Sequence, residues 1–107
     1  GDTCYIAISE NKIVGTMMLE KSSSYFENHI YNSFYIRHLA SSVSGVGKAL
    51  LVYACKLSKL SGKTHVCANC SAKNEKLVQY YLNYGFSIIG DGVDEEYNYF
   101  LLVKALI

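Results

Sequence analysis

Apolar and β-branched residues run through positions 4–8 and 13–19, and the polar trio Glu10-Asn11-Lys12 separates them. That pattern predicts two strands joined by a tight turn, in which Asn11 tolerates a positive φ. Gly15 inside the second strand predicts a bulge or a close contact. Residues 20–32 lack a clean period and predict a loop free to move over a substrate. Aromatic and β-branched residues return at 33–40 as a third strand. Leu50, Tyr53, Ala54, Leu57 and Leu60 then recur at helical spacing, which predicts a helix over 47–60 ended by Gly62, with Lys56, Lys59 and Lys63 near its negative end. A strand over 64–69 and a helix over 75–84 ended by Gly85 continue the order. The chain closes on a predicted hairpin: Ser87-Ile88-Ile89, a turn at Asp91-Gly92, and a strand from Tyr97 to Val103. The element order is β-hairpin, βαβα, β-hairpin, an α/β (α+β) class.

The segment between the third strand and the first helix, Ser42-Val43-Ser44-Gly45-Val46-Gly47-Lys48, carries the clearest chemistry. Glycines let a ligand approach the main chain, and the first turn of a helix offers unpaired N–H groups and a positive dipole end. The run is not a nucleotide P-loop. In G-x-x-x-x-G-K-S/T, Ser42 would stand at the first glycine and Ala49 at the magnesium-binding hydroxyl. Nor is it a dinucleotide fingerprint, because Leu50 stands where the third glycine of G-x-G-x-x-G belongs. A phosphate cradle of another kind remains.

Gly45-Val46-Gly47 ahead of a helix, followed by Asn74, Tyr81 and Gly85-Phe86, resembles the GNAT superfamily of N-acetyltransferases. The family's two motifs read Q/R-x-x-G-x-G/A and N-x-x-A-x-x-x-Y-x-x-x-G-F. Ser42 stands where the family has Gln or Arg, and the loop before the glycines is shorter than usual. The resemblance runs from about Tyr5 to the C-terminus. It implies one GNAT-like domain over 1–107, a mixed twisted sheet flanked by helices, and acetyl-CoA as cosubstrate without a metal. The main-chain N–H groups of Val43, Ser44, Gly45, Val46, Gly47 and Lys48 would hold the pyrophosphate, and Leu39, Ala40 and Ser41 would pair with pantetheine like a strand. Asn74 joins the cofactor site. Tyr81 would protonate the leaving thiolate, with Tyr80 in reserve, and a main-chain N–H near Leu39 or Ala40 would polarise the acetyl carbonyl. His38 is the candidate base, because an imidazole titrates near neutrality; Glu27 and His29 in the loop are weaker candidates. Each residue also has a plainer reading: Tyr81 as core, Gly85 as a helix C-cap, Asn74 as an N-cap, His38 as a structural strand residue.

The implied activity is acetyl transfer from acetyl-CoA to an amine of a small molecule or a protein lysine. A regulatory CoA-binding domain without turnover and a small interaction module are the alternatives. Against the family's usual order the chain opens at what would be the second strand, so either the acceptor side is open, or a partner chain or the 20–32 loop closes it.

Composition narrows the classes further. With 107 residues, half of them hydrophobic, the chain predicts a single domain that buries a modest share of its surface, and its 13% aromatic content favours a two-fold homodimer. A net charge of +1 with scattered lysines gives no stripe for nucleic acid. No apolar stretch approaches the roughly 20 residues of a membrane span, and Gly1-Asp2 does not begin a signal peptide, so a soluble, cytoplasmic protein is expected. Cys67-Ala68-Asn69-Cys70 has the C-x-x-C form, but Cys4, Cys55 and His65 supply no second pair at zinc spacing, and the segment reads as a strand. Reduced, partly buried thiols are the expectation.

Overall fold

The computed structural model describes residues 3–95 and 98–107. Strands β1 (Thr3–Ser9) and β2 (Lys12–Glu20) form the opening hairpin, turning through Glu10 and Asn11 at φ 51° and 65°. Positive φ at both central residues is the turn whose twist matches paired strands. Strand β3 (Ser33–Ser41), helix α1 (Val46–Leu60), strand β4 (His65–Ser71) and helix α2 (Glu75–Asn83) follow, then strands β5 (Ser87–Val93) and β6 (Asn98–Ala105). The sheet order is β1-β2-β3-β4-β6-β5, with β3 and β4 parallel and every other pair antiparallel. The last strand therefore inserts between β4 and β5.

Alternation along each strand splits the apolar residues between two layers. Ile36, Val66, Ala68 and Leu102 join Leu50, Leu51 and Ala54 of α1 and Val78 and Tyr81 of α2 in the main core. Tyr35, Cys67 and Leu101 face the other way and meet Phe26. Phe26 belongs to a single 3₁₀ turn, Ser24–Phe26, within the 20–32 segment. It is buried and packs on Tyr35 at 5.1 Å, while Tyr25 donates a 2.8 Å hydrogen bond from its hydroxyl to Asp94 Oδ2. The predicted mobile loop is thus pinned at two points, to the sheet through Phe26 and to the residue after β5 through Tyr25, because the strand face beneath it is apolar and needs a cover.

Both helices end in the same way. After α2, the Phe86 N–H bonds to the Tyr81 carbonyl and the Gly85 N–H to the Leu82 carbonyl. After α1, Lys63 bonds to Ser58 and Gly62 to Lys59. These are paired Schellman closures. The Tyr81 and Phe86 rings meet edge-on at 5.1 Å across the closure, which is the apolar contact such a cap favours.

The final hairpin differs from its sequence reading. Asp91 and Gly92 lie inside β5, paired with Phe100 and Tyr99, and the reversal falls between Val93 and Asn98. Tyr97, the expected start of the last strand, is outside the described residues, as are Gly1 and Asp2. The Tyr99 ring lies across Gly92, so this glycine serves a close approach rather than a turn.

Cys67 and Cys70 point to opposite layers, three positions apart on one strand, and cannot converge on one ion. Both are buried, as is Cys55, whereas Cys4 is exposed. Burial pushes both thiols up to about 11, although the Ser33 hydroxyl, 3.3 Å from Cys67 Sγ, opposes the shift there. A raised folded-state value means stability is complete below the ordinary thiol range near 8.5 and is lost as pH rises toward the folded value. The melting temperature is expected to fall between pH 8 and 11, and less steeply in Cys70→Ala. A parallel fall in both proteins would remove the thiols as its cause.

Candidate active site: a cleft where two parallel strands part

Strands β3 and β4 pair only from Ser33↔His65 to Ile36↔Ala68. Beyond Ile36 the two strands diverge, because β3 bulges. Its register against β2 slips between Thr16 and Met18, and His38 takes a left-handed φ of 54°. For a non-glycine residue that conformation costs on the order of 1–3 kcal/mol, and it persists where the surroundings enforce it. The Thr16 hydroxyl donates to the His38 carbonyl at 3.4 Å on the β2 side.

The parting leaves a cleft of about 370 Å³, within the range of small-molecule sites. One wall is the end of β3 and the following loop: Leu39, Ala40, Ser41, Ser42, Val43 and Ser44, with Gly47 of α1. The other is the start of α2: Asn74, Lys76, Leu77 and Tyr80. Ser42 fastens the loop, since its N–H bonds to the Val14 carbonyl at 2.9 Å and its hydroxyl donates there at 3.4 Å. Gly45, at φ 88°, caps α1 in a backbone shape that side chains disfavour. The Val46 N–H closes a turn onto Val43, whereas the N–H groups of Ser44, Gly45, Gly47 and Lys48 make no backbone bond among the described residues. Four free donors at a helix N-terminus form a nest for an anion.

The placement of α1 depends on β2. A Cβ on Gly15 would stand 2.6 Å from Val46 Cγ1 and 3.1 Å from Leu50 Cδ1. The predicted close contact at Gly15 is therefore real, and it brings the helix N-terminus down onto the sheet beside the cleft.

Of the residues expected to hold a cofactor, Leu39, Ala40, Ser41, Val43, Ser44, Gly47 and Asn74 come together on the cleft. Gly45 caps the helix there, Val46 turns its side chain into the core, and Lys48 is exposed away from the walls. Asn74 is also the N-cap of α2, its Oδ1 accepting the Leu77 N–H at 3.2 Å. Lys76 and Leu77 went unread in the sequence, and only helical phase could have found them.

The two tyrosines differ from expectation. Tyr80 lines the cleft; Tyr81 does not, and is 1% exposed in the core. Burial, followed by the neighbouring Cys70 thiol, raises the Tyr81 phenol far above its ordinary value, so it stays protonated. His38 is exposed and off the cleft walls. His29 packs edge-on against Phe26, and Glu27 is exposed; neither reaches the cleft.

No protein-family model and no curated protein matches the sequence itself. Solved structures match the fold throughout. An acetyltransferase of the GNAT family from Streptococcus pneumoniae superposes with a TM-score of 0.77 at 19% identity, over 99% of this chain and 67% of that one. The IAA acetyltransferase from Bacillus cereus gives 0.78 at 16%, over 96% and 77%. A protein from Salmonella typhimurium, solved with its cofactor acetyl-CoA, gives 0.79 at 16%, over 100% and 66%. The chain thus has the fold of the GNAT acetyltransferases: a mixed six-stranded sheet with its two helices on one face, opened between its parallel strands. No helix among the described residues is long and apolar enough to cross a membrane, and no group of three metal-ligating side chains occurs among them.

Proposed function

We propose that the chain is an acetyltransferase that moves an acetyl group from acetyl-CoA to a primary amine. The observation that carries this reading is the parting of β3 and β4, which sets a strand edge, Leu39 to Ser41, against a nest of free amides at the start of α1. An extended amide-bearing arm fits the first and a pyrophosphate the second. When bound, acetyl-CoA supplies the activated acetyl group. The chain binds the arm along β3, holds the pyrophosphate on Ser44, Gly45, Gly47 and Lys48, and offers a Leu39 or Ala40 N–H to the developing oxyanion. Tyr81 is the proton donor in this reading. Its neighbour Cys70 lies two residues past the last β3–β4 pair, which supports this role. The amine must lose a proton, since a free alkyl amine has a pKa of about 10.4. His38, exposed one residue before the cleft, is the base.

CoA is expected to raise the melting temperature, by about 2.7 kcal/mol of added stability at a hundredfold excess over Kd, whereas ATP with magnesium does so far less. Gly47→Val should abolish the CoA effect. Its Cβ would lie 3.3 Å from Ser41 Oγ and the branched methyls would fill the cleft. Equal stabilisation by ATP, or a valine variant that binds CoA normally, would sink the assignment. Thiol release from acetyl-CoA with a panel of amines separates turnover from a binding-only role.

The same reading includes a homodimer. Ile6, Ile8 and Ile13 are 50–63% exposed on the hairpin whose β1 is a free sheet edge, and a second copy would cover them. Sedimentation at high micromolar concentration checks this, and a monomer there would refute it.

A further inference from the structure

The cleft holds one charged side chain among the described residues, Lys76 on the α2 wall. Opposite it lie Ser44 and Gly47, whose N–H groups are free. Resting on the acetyl-CoA reading, we propose that Lys76 is the second jaw of a diphosphate clamp and makes the site selective for phosphate-bearing thiol carriers over bare pantetheine.

One electrostatic argument and two observations converge on this assignment. Backbone amides contribute partial charges only, and a diphosphate carries two full negative charges that a cleft half shielded from water must neutralise. The start of α2 is turned toward the same cleft as the start of α1, so both helix dipoles favour an anion between them. The Asn74 cap consumes the Leu77 N–H and thereby fixes the phase that places Lys76, Leu77 and Tyr80 on the cleft while Glu75 stays off it. An ammonium on a long flexible stem can close onto a phosphate after the ligand has entered. Lys73, also exposed and three residues away, does not line the cleft.

The test uses calorimetric titration of the whole chain with CoA, dephospho-CoA and pantetheine. Lys76→Ala is expected to weaken CoA and dephospho-CoA equally, by about tenfold, and to leave pantetheine unchanged. Lys76→Glu should weaken the first two further, and the salt dependence of CoA binding should flatten in both variants. Lys73→Ala removes the same charge from outside the cleft and should change nothing. Unchanged CoA affinity in Lys76→Ala overturns the clamp. So does a loss confined to CoA, which would place the lysine on the 3′-phosphate, or an equal loss in Lys73→Ala, which would make the effect a general field. Failure of the acetyl-CoA reading is visible separately, as a wild-type protein that binds neither CoA nor dephospho-CoA.

Discussion

Tyr81→Phe is expected to lose turnover by about 10²- to 10⁴-fold under saturating acetyl-CoA while keeping its fold and its affinity for CoA. The substitution deletes one hydroxyl and keeps the ring that packs on Phe86 across the closure of α2. Because the buried ring and its contact with Phe86 stay in place, stability should change little. A core residue with no further role would show the same stability and full turnover. Tyr80→Phe is the matched comparison: its side chain lies about 100° around the helix, on the cleft wall, and its loss should alter turnover little. Should Tyr80→Phe instead carry the large loss, the proton comes from the cleft wall. If neither variant loses activity, the proton comes from water or elsewhere, and Tyr81 is a core residue only.

The second large effect concerns Gly15. Gly15→Ala is expected to destabilise the chain by about 2 kcal/mol, a fall of roughly 10 °C in melting temperature, and Gly15→Val by more. The added Cβ would meet Val46 and Leu50 at 2.6 and 3.1 Å and the fixed carbonyl of Ala40 at 3.3 Å, so α1 must lift from the sheet. Val46 opens that helix, hence the lift disturbs the amide nest, and CoA affinity should fall with stability. Val46→Ala in the Gly15→Ala background empties the space being contested and should restore part of both. An alanine variant as stable as the wild type would show that the helix adapts freely and that Gly15 does not set the cleft.

How much of this could be read in advance differs by residue. The hairpin turn at Asn11, the α1 helix ended by Gly62, the α2 helix ended by Gly85 and the strand order as far as α2 follow from local rules, because each depends on neighbours within about five residues. The glycine cap and helix start within residues 43–48 were legible for the same reason, since they are contiguous. Asp91-Gly92 misled because glycine marks two situations alike in sequence, a turn and a close approach, and only the Tyr99 ring distinguishes them. The 20–32 segment misled because its anchor, Phe26, binds to residues from three distant strands.

The sequence by itself determined most of the elements and the glycine-capped start of α1. Tertiary structure alone decided that β6 slides between β4 and β5, that β3 and β4 part after Ile36, and that Tyr80 lines the cleft while Tyr81 packs in the core. The physical reason is the range of the interactions. Caps and turns are satisfied by hydrogen bonds within a few residues, whereas the bulge at His38 and the burial of Tyr81 arise where strands and helices distant in sequence compete for the same space.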